Sequence, residues 1–305
     1  MLDALRREPK AELHLHLEGA VRPATLLEIE ASLTPAEIEA RYSFPDFPGF
    51  LKTYGWVTGF LNGPRPYAIA LRRLLEELHQ QGVVYAEINL SVGVMLLRKL
   101  DVSAIFDALE ETAAASPVAV TWIFDAVRQW PVEDAWTVAR LAAERVHRRV
   151  AGFGIGGDEA RGPAKNFSNV FRFARDAGLA LVPHAGETTD ARSIWDVIEL
   201  GARRIGHGIR AMDDSSLMSY LRQHEIPLEV CVSSNIATAA VPSLDDHPVR
   251  RLFDARVPIT ISTDDPALFR TSLLREYELL HTCFGFTPAE LELLRKASFR
   301  FALQP

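Results

Sequence analysis

The chain has 305 residues, 48% of them hydrophobic and 24% charged, with a net charge of −7. This is an ordinary globular composition, and its acidic balance argues against a broad surface for nucleic acid or anionic membranes. Two cysteines, Cys231 and Cys283, supply neither a disulfide framework nor a thiolate metal cage.

Residues 1–8 carry early acids and no uninterrupted apolar segment, so no signal peptide is expected. No stretch approaches the length of a membrane span, and the cytoplasm is the expected compartment. The first strand-like run, residues 11–19, alternates apolar and polar residues and holds His14-Leu15-His16. Side chains at i and i+2 of a strand leave the same face, so two imidazoles can reach one point. Alone, such a pair is weak, because core and surface histidines are common.

Residues 20–68 form a connection far longer than a normal βα loop, and it contains Tyr42, Phe44, Phe47, Phe50, Tyr54, Trp56 and Phe60. It reads as a functional lid or as extra helices packed on the main body, and the two readings are compatible. Further strand-like runs follow at 83–92, 119–127, 150–158, 179–186, 204–209, 228–233 and 257–263. Apolar residues recur at three- and four-residue spacing in 68–81, 102–115, 132–149, 166–177, 191–200 and 214–224, which predicts helices there. Gly82, Gly178 and Gly201 stand at their expected stops, and 271–305 reads as two final helices.

Eight strands alternating with helices predict an α/β fold, the (β/α)8 TIM barrel, as one domain with a helical, aromatic insertion between strands one and two. The runner-up is an open doubly wound sheet. Gly152-Phe153-Gly154-Ile155-Gly156-Gly157 lacks the dinucleotide spacing that would support it.

Unusual polar residues crowd the C-terminal ends of these strands, the face on which this fold builds active sites. They are His14, His16 and Glu18; Gly157, Asp158 and Glu159; His184 and Glu187; His207; Ser233, Ser234 and Asn235; and Asp264 and Asp265. The remaining histidines, His79, His147, His224, His247 and His281, read as surface or satisfied core residues. The donors His14, His16, His184 and Asp264 make an N3O set suited to one Zn²⁺, though iron, cobalt or manganese would also accept it. Such an ion lowers the pKa of a bound water to about 7. Glu187, three residues past His184, is placed as a proton shuttle, and His207, between two glycines, as an orienter or base.

Together His14-Leu15-His16-Leu17-Glu18-Gly19-Ala20, Gly157-Asp158-Glu159, His184-Ala185-Gly186-Glu187, Gly206-His207-Gly208, Ser233-Ser234-Asn235 and Thr263-Asp264-Asp265-Pro266 resemble the adenosine deaminase family of the amidohydrolase superfamily. The ordered set spans residues 11–266 and is far more specific than any one motif. The resemblance implies a mononuclear zinc barrel in which water deaminates a 6-aminopurine to the 6-oxopurine and ammonia. It assigns zinc to His14, His16, His184 and Asp264, protonation of purine N1 to Glu187 and orientation of the attacking hydroxide to His207. It further assigns purine N3 and N7 to Gly157 N–H and Asp265.

Binuclear relatives end their fourth strand in a bridging lysine, where this chain has Gly156-Gly157-Asp158-Glu159. Deaminases with a Pro-Cys-x-x-Cys zinc motif are excluded, because no such pair exists here. A purine-binding barrel without turnover would be expected to lack Glu187 or His207. Glu18 stands where adenosine-specific relatives carry Asp, near the 5′ side of the sugar. With the segments 44–60 and 82–91, it resembles the aminodeoxyfutalosine deaminase group, and adenosine or adenine are the alternative substrates. The expectation is that the aromatic lid takes an aryl 5′ substituent and that Lys52, Arg65 or Arg98 meets its carboxylate.

Overall fold

The computed structural model describes residues 2–303. Eight parallel strands run in chain order: β1 (Lys10–His16), β2 (Val83–Leu90), β3 (Ala119–Val127), β4 (Val150–Gly156), β5 in two pieces (Ala180–Leu181 and His184–Ala185), β6 (Ile205–His207), β7 (Leu228–Val230) and β8 (Ile259–Ile261). Each pairs in parallel with the next, with the break inside β5, at Val182-Pro183. Pro183 has no N–H to give a ladder, yet its carbonyl still accepts from Gly206 N–H at 3.0 Å, and Val182 N–H donates to Phe153 O at 3.0 Å. The two outer strands meet through a parallel bridge between Leu15 and Asp264, with Asp264 N–H donating to His14 O and His16 N–H donating to Asp264 O. The sheet is therefore the expected (β/α)8 barrel.

Strands in this setting are covered on both faces, which is why β1 is buried at all seven positions although four of them are polar. Leu15 and Leu17 join the large apolar layer between barrel and helices, whereas Ala11 and Leu13 pack with Ala302 beneath the C-terminal helix Pro288–Phe301. The polar interior beneath the site is a network in which Arg204 is paired with both Glu87 and Glu229.

The connection after β1 carries the short helices Pro23–Ile29, Pro35–Arg41 and Phe47–Val57, followed by Pro64–Gln80. Each carries a proline in its first turn, where the missing N–H is not needed. Phe44, Phe47, Phe50 and Tyr54 cluster through tilted and edge-on ring contacts, and Phe44 and Phe50 also touch Phe269 beyond β8, which seats the insertion on the barrel's C-terminal rim. Gly82, Gly178 and Gly201 all end helices with positive φ, as their positions predicted.

Most strands are shorter than the apolar runs that announced them, because site residues leave the ladder early. Glu18 begins a 3-10 turn, Glu18–Ala20. Ser233, Ser234 and Asn235, expected at the end of a strand, lie instead on the helix Val232–Ala237. A short helix, Val92–Leu97, follows β2 directly, in place of the last residues expected to be strand. No helix among the described residues is long and apolar enough to cross a membrane.

Candidate active site

His14 and His16 leave the same face of β1, and β5, β6 and the turn after β8 bring His184, His207 and Asp264 to meet them. The His14 and His184 ring centroids are 4.6 Å apart, and those of His14 and His16 are 5.4 Å apart. The Nε2 atoms of His16 and His184 face each other at 3.1 Å, and each Nε2 of His14 and His16 lies 3.3 Å from Asp264 Oδ1. Gly206 allows this crowding, since a Cβ there would come within 2.7 Å of the His14 ring. His207 and Asp264 both hold positive φ, 60° and 64°, a strained backbone for residues with side chains.

The outer ring nitrogens are spoken for. His14 Nδ1–H donates to Glu229 at 2.7 Å, and that carboxylate is itself held by Arg204. His184 Nδ1–H donates to Ile155 O at 3.1 Å. Both rings therefore turn Nε2 inward, the arrangement that orients imidazole ligands around a metal. Burial pushes His16 down to about 3. Burial and the neighbouring His14 and His16 hold His184 well below the usual range. Asp264 stays well below the ordinary carboxylate range: against burial, the His14 ring 3.3 Å away and the surrounding imidazoles hold it down, and it also accepts from Ser234 Oγ at 2.7 Å.

These observations fit a divalent cation. Buried His14 Nε2 makes no hydrogen bond, and two nitrogen lone pairs aimed at each other at 3.1 Å repel unless a cation or proton lies between them. His14, His184, His207 and Asp264 each offer a donor atom within 4.8 Å of the others. That quartet includes His207, read above as an orienter, and omits His16, read as a ligand.

Glu187 lies just beyond β5, at 3.7 Å from His207 Nε2. Its loop is fastened by Glu159, which accepts from the N–H groups of Gly186, Glu187, Thr188 and Thr189. Burial, then the charges of Asp264 and Glu159, push Glu187 well above the ordinary carboxylate range. Asp265 is likewise raised, by burial and by Asp264, and a Cβ at Gly19 would overlap its carboxylate. Gly157, at φ 99°, lies against the Gln129 side chain, which accepts from Asp158 N–H at 2.9 Å.

A single cavity joins His16, Gly157, His184, Glu187, His207, Asp264 and Asp265 to an outer wall of Phe47, Phe50, Leu51, Tyr54, Leu97, Arg98 and Trp130. Glu18 is not in that wall, contrary to the substrate contact expected of it. It is fully buried and accepts from Tyr54 OH at 3.1 Å and Ser91 N–H at 3.1 Å, both of which do line the cavity. Of the three cations proposed for the lid, only Arg98 lines the cavity among the described residues, with its Nη2 donating to Gly55 O at 2.8 Å.

Three polar residues here were not singled out from the sequence. Glu229 orients His14, Arg128 donates to His184 O at 2.9 Å, and Asp125 lines the cavity with neither carboxylate oxygen hydrogen-bonded. Their signal was a charge inside or at the end of an apolar strand, as in Leu228-Glu229-Val230 and Ile123-Phe124-Asp125-Ala126-Val127-Arg128.

A barrel carrying clustered imidazoles, an aspartate held below and a glutamate pushed above the ordinary carboxylate range at its C-terminal mouth is the architecture of a metal-dependent hydrolase. The adenosine deaminase family model matches residues 9–305. An aminodeoxyfutalosine deaminase of Streptomyces avermitilis is 38% identical over 285 residues, covering 89% of this chain and 80% of the relative. An adenine deaminase of Rhizobium meliloti is 33% identical over 302 residues, covering 96% and 93%. The crystal structure of an adenine deaminase from Arthrobacter aurescens superposes with a TM-score of 0.91 at 28% identity, covering 97% of this chain and 94% of that one. The chain belongs to the adenosine deaminase family and is a metal-dependent hydrolytic deaminase.

Proposed function

We propose that the enzyme hydrolyses the 6-amino group of a purine nucleoside bearing an aryl carboxylate beyond its sugar, as 6-amino-6-deoxyfutalosine does, with one zinc ion held by His14, His16, His184 and Asp264. The observation that carries the substrate assignment is the cavity's outer half, where Phe47, Leu51, Leu97 and Trp130 offer apolar contact and Arg98 a cation at the rim. The 38% identity to the Streptomyces avermitilis enzyme supports the same choice.

Zinc in this site would supply an activated water for attack at purine C6. The protein's own groups match the purine nitrogens, each of which accepts a hydrogen bond. Glu187, protonated because it is buried, offers a proton to N1, which draws electrons from C6. Asp265, raised in the same way, donates to N7, and Gly157 N–H donates to N3. His207 orients the attacking water. Glu18 acts indirectly, by holding Tyr54 and Ser91 in the cavity wall.

The second reading is deamination of free adenine, favoured by the likeness to the Rhizobium meliloti and Arthrobacter aurescens adenine deaminases. Comparing kcat/KM for 6-amino-6-deoxyfutalosine, adenosine and adenine separates them. The first substrate should lead by tenfold or more, and a clear preference for adenosine or adenine would reject the aryl proposal. Arg98→Ala should lower kcat/KM about 10- to 100-fold for the aryl carboxylate alone, the range of a lost hydrogen bond to a charged group.

A further inference from the structure

Asn235 and His247 are given no role in the proposed reaction, yet a hydrogen-bond chain links them to His207. The chain of evidence starts from a donor that has no alternative. The main-chain N–H of Val249 donates to His247 Nδ1 at 3.2 Å, so that nitrogen carries no proton and the ring's proton is on Nε2. His247 Nε2–H then donates to Asn235 Oδ1 at 3.1 Å. This fixes the amide, and Asn235 Nδ2 donates to His207 Nδ1, also at 3.1 Å. His207 Nδ1 is thus an acceptor, and its proton sits on Nε2, which faces Glu187 and Asp264 at 3.7 and 3.8 Å.

The reversed arrangement fails at its outer end. If Asn235 were turned to accept from His207, its amide would donate to His247 Nε2, and the His247 proton would move to Nδ1, against the Val249 N–H. Two donors would then face each other in a buried place. All three side chains are buried: His207 is 1% exposed, Asn235 0% and His247 3%. Asn235 is further pinned through its main chain, which accepts from Val241 N–H at 2.9 Å and donates to Cys231 O at 3.0 Å. Phe284 packs edge to face on the His247 ring.

We propose that Asn235 and His247 are positioning residues that hold His207 as its Nε2–H tautomer, a hydrogen-bond donor to the attacking water and not a metal ligand. A nitrogen that carries a proton has no lone pair for a cation, which leaves His16 to complete the set with His14, His184 and Asp264. The inference rests on the proposed role of His207, but the tautomer is measurable whether or not any purine is turned over.

Long-range proton–nitrogen correlation on zinc-loaded enzyme labelled with ¹⁵N-histidine reads the tautomer directly, with His207→Asn identifying the resonances. His207 and His247 should both show a protonated Nε2 and an unprotonated Nδ1. In Asn235→Asp the carboxylate accepts from both rings, so the His207 proton should move to Nδ1, and kcat should fall tenfold or more with KM and zinc content unchanged. His247→Gln, whose amide can still donate to Asn235, should keep the Nε2–H pattern and more of kcat than His247→Leu. A His207 protonated on Nδ1 in the parent enzyme, a metal-bound Nε2, or an Asn235→Asp enzyme with the tautomer unmoved would overturn the proposal. Should the variants not fold, the parent spectrum alone decides it.

Discussion

Glu187 sits where burial and two neighbouring carboxylates favour its protonated form, so at neutral pH it can give a proton that an exposed glutamate would already have lost. In the proposed mechanism the protonated form acts, so kcat/KM should be maintained below the raised pKa and fall as pH rises through it. Glu187→Gln should lower kcat about 10²- to 10⁴-fold, remove that alkaline limb and leave metal content unchanged. A pH–rate profile of both proteins checks the sign. The two cysteines offer a contrast: burial, then nearby carboxylates, push the Cys231 thiol well above its ordinary value, whereas Cys283 is exposed. Brief alkylation of the native protein followed by peptide mass spectrometry should find Cys283 labelled and Cys231 intact. The site's polar residues stood out in the sequence because chemistry-bearing side chains ended apolar runs. Glu18 shows where that reading stops, since a motif position does not reveal that Tyr54, from a helix 36 residues on, covers the carboxylate.

Among the elements, the helix Phe47–Val57 joins the lid to the site. Phe50 packs against Phe44, Phe47, Tyr54 and Phe269, so Phe50→Ala should destabilise by about 3–5 kcal/mol and loosen Tyr54. Denaturant melts report the first effect, and a raised KM for the aryl substrate reports the second. The aromatic content of 20–68 disclosed an element with its own packing, but not its division into separate helices, which depends on tertiary contacts to the rim. Most barrel strands were legible for the opposite reason: covered on both faces, they are largely apolar runs, with β1 the alternating exception. Their C-terminal ends were not, because Ser233–Asn235 leave the sheet for the helix Val232–Ala237 and Asp264 turns at positive φ.

At the scale of the whole molecule, the proposed metal site lies across the seam of the barrel. The same Leu15–Asp264 bridge that joins β1 to β8 sets His14, His16 and Asp264 side by side, while His184 follows the break in β5. A cation bound by all of them ties strands that are distant in sequence, so its removal should lower stability as well as activity. At a hundredfold excess of zinc over its Kd the stabilisation is about 2.7 kcal/mol, visible as a Tm that falls on chelation and returns with zinc. The account stands or falls on metal-dependent release of ammonia. Metal-stripped enzyme should release none from 6-amino-6-deoxyfutalosine, and activity should rise in proportion to added zinc and level off at one equivalent per chain. Full activity in the stripped protein, a plateau at two equivalents, or metal-replete enzyme that frees no ammonia from any 6-aminopurine would contradict it.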